Sequence, residues 1–504
     1  MERLTILIPV IGYILLTLLL AIWCRRTTKA ATGSFVEEYF IGGRTMGGFV
    51  LAMTIIATYT SASSFVGGPG VAYKLGLGWV LLAMIQVPTT FLTLGVLGKR
   101  FAIIGRKIKG VTIVDFLYAR YKNDTIVIVC SVAMLVFFMA SMLAQFIGGA
   151  RVFQAVTQHS YATGLVLFGV SVILYTTIGG FRAVALTDAV QGVVMVIAAV
   201  VVMMAVLNAG GGMESCMQKL KAIDPGLLTP GGPLVPKGDP ALGVTAKSIP
   251  EPFLFSFWIL VGLGILGLPQ TAQRCFGYKD SKAMHNAMLV GTLIIGFLLL
   301  CAHLTGTLGR TVLPNLTSGD LIMPTLTIEL LPPFWAGVFV AGPLAAIMST
   351  VDSMLLLVSA SIVKDLYIRY KLKGDMNVAD EKKISRMSLI CTLVVGAVVF
   401  LCAFNPPDLL VWINLFAFGG LEAVFLWPII LGLYWKKANA SGTIASIVTG
   451  LTVFMYLSIS KFPVFGLHAI VPTLVIAFAA FVIGTKLGPP PPSEVVRLFW
   501  EENA

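Results

Sequence analysis

The chain has 504 residues, of which 57% are hydrophobic and only 12% are charged, and its mean hydropathy is +0.93. A soluble domain carries roughly 25% charged residues, so this composition excludes an ordinary soluble protein. Apolar runs long enough to cross a hydrocarbon core of ~30 Å recur along the whole chain, which predicts an all-α polytopic membrane protein. An outer-membrane barrel is excluded, because its strands alternate over about 10 residues and give no long apolar runs.

In chain order, the apolar runs predict about 13 transmembrane helices. The first is followed by CRRTTK and lacks a small-residue cleavage site, so it is interpreted as an anchor and not a cleaved signal. The predicted spans are centred near residues 14, 58, 86, 138, 171, 197, 263, 296, 346, 394, 421, 449 and 475.

The 35 basic residues are unevenly distributed over the predicted loops. Most lie in loops that face the cytoplasm if the N-terminus is outside and the C-terminus is inside, which is the orientation that the positive-inside rule favours. We therefore expect a multi-pass protein of the cytoplasmic (inner) membrane. The same bias explains the net charge of +12 without nucleic acid, since no basic stretch is interleaved with base-stacking aromatics.

The sequence offers little for catalysis. It contains no paired acids or His/Cys metal set with recognisable spacing, and its seven cysteines are scattered without a CxxC motif, so they are interpreted as structural. The long loops, about 209–250 and 364–385, are too short for a folded catalytic domain. We expect no enzyme, no cofactor and no required oligomer. A channel would need a continuous filter, whereas the polar residues of this chain gather in one region.

That region begins with ATYTSASSFVGGPG, residues 57–70, in the second predicted span. Six hydroxyl side chains precede Gly67, Gly68, Pro69 and Gly70, which interrupt a helix. Broken backbone at membrane depth is tolerated where it is buried in protein or lines a watery cavity, and transporters use it to bind ions and substrate. The alternative is a small-residue packing face. The combination of hydroxyls with a break favours a binding site.

A second polar cluster lies in PLAAIMSTVDSMLLLVSAS, residues 343–361. Ala346, Ser349 and Thr350 stand at i, i+3 and i+4 and therefore share one helix face. Two hydroxyls with a carbonyl one turn away suit a small hard cation, although such hydroxyls can also bond back to their own helix. Together with the broken helix, the cluster predicts the two halves of a sodium site.

The chain resembles the sodium:solute symporter family from about residue 38 to 486. Several segments in the same order carry the resemblance, which makes it specific. They are EYFIGGRTMGGFVLAMTIIATYTSASSFVGGPG, QFIGGARV, LYTTIGGFRAVALTDAVQG, GLPQTAQRCFGYKDSKAMH, AAIMSTVDSMLLLVSASIVKDLY and FGGLEAVFLWPIILGLYWKKANASG.

The resemblance implies a five-plus-five inverted-repeat (LeuT-like) core with a broken first core helix. The implied parts are an N-terminal helix and cytoplasmic loop (1–40), a first repeat of spans 2–6 (41–208), an external loop (209–250), a second repeat of spans 7–11 (251–435), and spans 12–13 with a cytoplasmic tail (436–504).

The resemblance also implies which residues bind the coupling ion, Na⁺. Matched motif to motif, the sodium ligands are Ala57 and Thr60 on the broken helix, with Ala346, Ser349 and Thr350 opposite. Asp188 in LTDAVQ matches an acidic position that the family ties to sodium coupling. A carboxylate inside the membrane is functional by default, and the alternative is an interfacial helix cap at the end of span 6.

Within the family, the resemblance is to the branch that transports pantothenate, a small anion with an amide and two hydroxyls. Another small carboxylate or an amino-acid-like solute is the alternative. Tyr59 stands where the proline branch has an acid, and Ser63 and Ser64 stand where the sugar branch has amides and an acid, so those substrates are disfavoured. The substrate candidates are Tyr59, Ser61, Ser64, Gln145, Arg151, Gln270 and Thr271.

Some polar residues keep open interpretations at this point. Arg151 and Arg274 are candidate pocket cations or, alternatively, interfacial anchors at helix ends. Asp352 follows the sodium hydroxyls by two residues, and it either faces the cytoplasmic exit or pairs with a lysine. The number of sodium ions per substrate stays open as well.

Overall fold

The computed structural model describes residues 2–28, 41, 44–233, 251–371, 381–405, 410–460, 462 and 464–501. Within these ranges the chain is almost entirely helical, with isolated β-bridges only, such as that between Met46 and Tyr278. The parts of the predicted loops at 29–40, 234–250 and 372–380 lie outside the described residues. The expectation of an all-α protein is confirmed.

The α-helices of the described chain are α1 (Glu2–Thr28), α2 (Gly48–Tyr59), α3 (Gly68–Leu75), α4 (Leu77–Ala83), α5 (Thr89–Leu92), α6 (Lys99–Lys107), α7 (Ile113–Tyr121), α8 (Asp124–Thr157), α9 (Tyr161–Gly210), α10 (Met213–Ile223), α11 (Glu251–Phe257), α12 (Pro269–Arg274), α13 (Ser281–Gly309), α14 (Ile322–Leu330), α15 (Pro333–Ala360), α16 (Glu381–Cys402), α17 (Leu410–Tyr434), α18 (Ala440–Ser460), α19 (Ile470–Leu487) and α20 (Ser493–Trp500). Short π or 3₁₀ segments adjoin them at Ser63–Gly67, Met84–Gln86, Thr93–Gly98, Pro225–Leu228, Trp258–Leu263, Gly264–Gly267, Gly319–Leu321 and Ser361–Lys371.

Apolar helices account for the predicted spans. Eight described helical stretches are long and apolar enough to cross a membrane, and a bent pair supplies a ninth. The other four predicted centres fall in shorter apolar stretches, Leu4–Leu20, Tyr161–Leu174, Pro252–Gly267 and Arg386–Cys402. The fifth and sixth spans share α9, where Gly169 contacts Phe400 and Gly192 contacts Met53.

The centre of the bundle is α15, whose apolar window is 94% buried inside the protein. Most other spans leave large apolar side chains on the outside, such as Leu293 and Val475. A broad exposed apolar surface matches a bilayer and not water. The central helix is therefore positioned by protein on all sides, and its polar residues point to other helices and not to lipid.

The second span is broken in the middle, as its sequence predicted. The axes of Gly48–Tyr59 and Ser63–Leu75 differ by 69°. Thr60 is extended, with φ −72° and ψ 119°, and the chain resumes through a π turn at Ser63–Gly67. Gly68 lies against the ring of His303 and Gly70 against the backbone of Gly319, so side chains at either position would overlap their neighbours.

A second break, which the sequence analysis missed, interrupts the seventh span. The π segment Trp258–Leu263 passes into a 3₁₀ segment, and Leu268 is extended with φ −87° and ψ 112°. Pro269 follows, and a residue before proline is pushed out of the helical region. Spans 2 and 7, which the resemblance makes the first helices of the two repeats, are therefore both broken, and discontinuous helices of this kind are typical of secondary transporters.

The chain ends in a helix that the sequence analysis did not expect. The run GPPPP ends α19, and α20 then follows and packs on α7 through Phe499 and Phe116. Lys107 donates to the carbonyl of Glu501, and Arg120 to that of Lys436. We call the end of the bundle that carries Lys107, Arg120 and Lys436 the basic end.

Candidate functional site

The predicted sodium ligands come together between the broken helix and α15. The hydroxyl of Ser349 lies 2.9 Å from the carbonyl oxygen of Ala57 and 3.1 Å from that of Ala346. The hydroxyl of Thr350 lies 3.0 Å from the carbonyl oxygen of Thr60 and 2.8 Å from that of Ala346. Five oxygens from two helices therefore lie close together between the break and α15, and all five residues are buried.

These oxygens outnumber the protons available to them. Each hydroxyl has one proton and lies within hydrogen-bond distance of two carbonyl oxygens, so it donates to only one of them at a time. The side-chain oxygen of Thr60 is also buried without a hydrogen-bond partner among the described residues. A buried acceptor without a partner is costly, and a small cation would satisfy several at once. The donor set suits Na⁺, which transporters bind with freed carbonyls and hydroxyls.

The break is what frees the carbonyls. The amide of Ser61 turns to the hydroxyl of Ser64, and that of Ala62 donates to Oε1 of Gln145 over 2.7 Å. Neither amide continues the helical bonding of α2, so the carbonyl of Ala57 turns toward α15. Since the hydroxyls of Ser349 and Thr350 reach the broken helix as well as Ala346, bonding within their own helix does not account for them.

A buried ionic network lies beside the sodium ligands. Nη2 of Arg274 lies 3.2 Å from Oδ2 of Asp188 and 2.6 Å from the hydroxyl of Ser353, and it also donates to Thr58 over 2.7 Å. Thr54 donates to Asp188 over 2.6 Å. The network joins α2, α9, α12 and α15. The network lies toward the basic end. From Ser353, α15 continues into segment Ser361–Lys371, where Lys364 pairs with Asp115 of α7.

This placement settles two of the open interpretations. Asp188 lies inside α9 and is fully buried, so it does not cap a helix at the interface. Arg274 is 2% exposed and is therefore not an interfacial anchor. Asp352 is buried and accepts a hydrogen bond from the hydroxyl of Ser353 over 3.3 Å. It also lies close enough to Arg274 to attract the charge of the guanidinium, so its cationic neighbour is an arginine and not a lysine.

A cavity of about 40 Å³ lies on the other side of the break. Aromatic and aliphatic walls alternate with hydroxyl, amide and imidazole groups. The lining residues are Tyr59, Ser61, Ser63, Ser64, Gly68, Trp79, Leu82, Ala83, Gln86, Phe257, Val261, His303, Val411, Asn414, Leu415 and Phe418.

Three of the seven substrate candidates line this cavity, namely Tyr59, Ser61 and Ser64. Gln145 does not line it, because its side chain is held behind the break by the amide of Ala62 and the carbonyl of Ser141. Arg151 is also elsewhere. It bonds Gln154 over 3.1 Å and lies over the ring of Tyr161, near the end of α8, as its anchor interpretation had it.

The last two candidates, Gln270 and Thr271, lie toward the basic end. Gln270 lines a separate small cavity of about 10 Å³ with Arg274 and Ser353, and neither polar atom of its amide has a hydrogen-bond partner among the described residues. Thr271 donates to the carbonyl of Leu268 over 3.0 Å, which ties down the second break. The expectation that helices packed on the break would present these side chains to one pocket is not met.

Several lining residues were missed by the sequence analysis. Tyr59 donates to Oε1 of Gln86 over 2.8 Å, and Ser141 donates to Asn414 over 2.5 Å. Nδ1 of His303 lies 2.8 Å from the carbonyl of Leu299. Gln86, Asn414 and His303 are each a single polar residue within an apolar stretch. The sequence signal that could have identified them is that a polar side chain inside a membrane is costly and therefore marks a functional position.

Two broken helices, a cluster of buried oxygens and a cavity beside the break are typical of secondary transporters of the inverted-repeat class. The comparison with known proteins makes the assignment specific. The chain belongs to the sodium:solute symporter family, whose model matches residues 39–450.

Curated relatives resemble the chain over nearly its full length. It is 47% identical over 495 residues to the sodium/pantothenate symporter of Escherichia coli (strain K12), covering 98% of this chain and 99% of that protein. It is 49% identical over 486 residues to the sodium/pantothenate symporter of Haemophilus influenzae, covering 96% and 97%. A sodium/proline symporter of Staphylococcus aureus is 30% identical over 500 residues, covering 94% of this chain and 91% of that protein.

Solved structures confirm the LeuT-like fold. A substrate-bound, outward-open structure of a Na⁺-coupled sialic acid symporter covers 97% of this chain and 99% of its own, with a TM-score of 0.73 at 18% identity. Mhp1, a nucleobase-cation-symport-1 family transporter, covers 91% and 97% with a TM-score of 0.52 at 13% identity. At such identities the likeness concerns the fold alone.

Proposed function

We propose that this protein takes up pantothenate with Na⁺ across the cytoplasmic membrane by alternating access. The near full-length identity to two sodium/pantothenate symporters supports the substrate. The observation that supports coupling is that one segment of the broken helix contributes both to the predicted sodium ligands and to the cavity. The carbonyl of Thr60 faces the sodium ligands of α15, whereas its neighbours Ser61 and Ser64 line the cavity. An ion that orders this segment therefore also orders the cavity wall.

The cavity has the groups that pantothenate requires. Trp79, Phe257 and Phe418 offer apolar surface to the dimethyl carbon, while Ser61 and Asn414 can bond the amide and the hydroxyls. No lysine or arginine is among the lining residues that the structure describes. We propose that the charge opposite the substrate carboxylate is Na⁺ itself, held next to Ser61 at the carbonyl of Thr60.

Energetics favours a cation of this kind. An anion that enters a negative-inside cell opposes the membrane potential by about 2.3 kcal/mol per 100 mV. One Na⁺ cancels that charge, and the sodium gradient then drives uptake. We propose residues 41–208 and 251–435 as the two repeats that rock around this site, with the basic end in the cytoplasm and the N-terminus outside. Labelling of single cysteines in sealed vesicles of known orientation would check that topology.

The first expected result is a strict sodium dependence. Radiolabelled pantothenate should accumulate in proteoliposomes under an inward Na⁺ gradient and should not accumulate when K⁺ or choline replaces Na⁺ at constant pH, because the cluster of buried oxygens would then lack its ion. A panel of other carboxylates and proline, tested as competitors, checks the substrate. Equal uptake without Na⁺ would contradict the coupling, and stronger competition by another carboxylate would reassign the substrate.

A second expected result concerns His303. Because a backbone carbonyl only accepts, Nδ1 of this ring carries the proton and donates to Leu299, which leaves Nε2 as an acceptor beside the cavity. A hydroxyl or amide N–H of the substrate can donate to it. Wild-type protein should therefore bind pantothenate about 5- to 150-fold more tightly than an analogue that lacks the donating hydroxyl.

In His303→Leu this preference should shrink toward one, whereas His303→Gln should retain part of it through its own acceptor. The matched control is Thr305→Val, whose hydroxyl bonds only the carbonyl of Cys301 within the same helix. Direct binding at saturating Na⁺ measures the affinity of each of the four proteins for both ligands. An unchanged preference in His303→Leu would mean that the ring does not contact the substrate.

A further inference from the structure

Glu422 on α17 is a fully buried carboxyl group that neither the sodium ligands nor the cavity includes. Neither of its oxygens has a hydrogen-bond partner among the described residues. The carboxyl group is pressed against Gly264, where a methyl group in place of the hydrogen would overlap both oxygens. Gly264 begins the 3₁₀ segment that leads to the second break.

The position of Glu422 connects it to the cavity. Val411, Leu415 and Phe418 line the cavity, and Glu422 follows Phe418 by one turn on the same face of α17. Tyr59, which also lines the cavity, lies close enough to sense the charge of Glu422. Packing of Glu422 against Gly264 therefore holds the α17 wall of the cavity against the second broken helix.

The surroundings do not suit an ionised carboxylate. A charge buried at this depth is unfavourable unless it is paired, and the described elements that pack on α17 bring no basic group to Glu422. The other titratable groups on those elements have partners or positions of their own. Asp115 pairs with Lys364 and Arg369, and the same Arg369 lies over Tyr118. Asp124 accepts from Tyr370 at the start of α8, and Arg151 bonds Gln154. Arg120 donates to the carbonyl of Gly432, and Tyr121 donates to that of Pro428, with Cys130 nearby. Tyr456 is exposed, and Lys486 lies at the end of α19.

We propose that Glu422 is a proton-binding site, and that the proton it holds is required for the substrate cavity to close. With the proton bound, the neutral acid can lie against Gly264. Without it, the charge draws water between α17 and the second break, and the wall that carries Phe418 separates. Proton binding and substrate binding then favour the same packed state, so each strengthens the other. This linkage rests on the proposed function, since pantothenate is the substrate that reports it.

The test compares wild type with Glu422→Gln, which keeps the shape of the protonated acid. Pantothenate affinity of the wild type at saturating Na⁺ should be constant at low pH and fall as the pH rises, by about tenfold per pH unit once Glu422 loses its proton. Affinity of Glu422→Gln should not change over the same range. A matched control is Asp320→Asn, a buried acid that accepts from the amide of Leu410 and should keep the wild-type profile.

Two readouts do not depend on pantothenate. The infrared difference spectrum of the wild type minus Glu422→Gln should contain the band of a protonated carboxylic acid. The unfolding midpoint of the wild type should fall with rising pH, and that of Glu422→Gln should not. If pantothenate binds at no pH, the proposed function fails while these readouts still test Glu422.

Two variants check the contact between Gly264 and Glu422. Gly264→Ala should weaken pantothenate binding at least tenfold, because the added methyl group overlaps the carboxyl group. Gly264→Ala/Glu422→Ala should recover part of the lost affinity. The same pH profile in Glu422→Gln as in the wild type would overturn the proposal. The proposal would also be overturned if Glu422→Gln bound one Na⁺ fewer than the wild type while its pH profile stayed the same. In that case Glu422 would bind a metal cation and not a proton.

Discussion

Ser349→Ala/Thr350→Ala is expected to raise the sodium concentration for half-maximal uptake by about a hundredfold or more. Each hydroxyl faces the broken helix and α15 at once, so the double variant removes two of five ligand oxygens with little change of volume. Contacts of polar groups with a charge contribute roughly 1.5 to 3 kcal/mol each, and every 1.4 kcal/mol is a factor of ten. Sodium-dependent uptake in proteoliposomes measures the change.

Two variants separate ligand loss from damage to the helix. Thr350→Ser keeps a hydroxyl in place and should retain sodium affinity near that of the wild type. Ser359→Ala removes a buried hydroxyl of the same helix, one that donates to the carbonyl of Ser388 over 3.2 Å and is distant from the ion. A sodium dependence in the double variant equal to that of Ser359→Ala would place the ion elsewhere.

The second large effect is expected on stability. Arg274→Gln should lower the free energy of unfolding by about 3 to 5 kcal/mol, because it leaves Asp188 as an uncompensated charge in a closed interior. Asp188→Asn should cost less, since Asp352 still attracts Arg274. Asp188→Asn/Arg274→Gln should recover most of the loss, because a neutral pair leaves no buried charge without its partner.

Denaturant unfolding of the purified protein in detergent measures these differences as a double-mutant cycle. Lys279→Gln serves as the control, since Lys279 pairs with Asp280 at 3.9 Å on the surface and should contribute less than about 1 kcal/mol. A double variant as unstable as the sum of its two singles would mean that Asp188 and Arg274 do not act as a pair.

The order of sites along the bundle suggests how coupling works. The cavity, the sodium ligands and the Arg274 network follow one another toward the basic end, and the broken helix contributes to all three through Ser61, Thr60 and Thr58. Movement of that helix therefore changes the three sites together.

The sequence by itself determined the class of protein and the broken second span, and it predicts the apolar spans and the sodium ligands. These depend on local patterns: the length of apolar runs, a Gly/Pro break, and hydroxyls at helical spacing in Ser349 and Thr350. The second break also has a local signal in GLGILGLPQ, where the proline forces Leu268 out of the helix. The sequence analysis predicts an unbroken span there, centred near residue 263. Local signals of this kind survive into the fold because backbone geometry enforces them.

Only the tertiary structure decided which polar side chains meet. Arg274 and Asp188 are 86 positions apart, and their pairing depends on four helices packing together. Gln145 and His303 look alike in sequence, each a single polar residue in an apolar span, yet one is held behind the break and the other lines the cavity. The rotation of each helix about its axis is fixed by packing against its neighbours, and in a chain that is apolar on most faces, the sequence pattern does not encode that rotation.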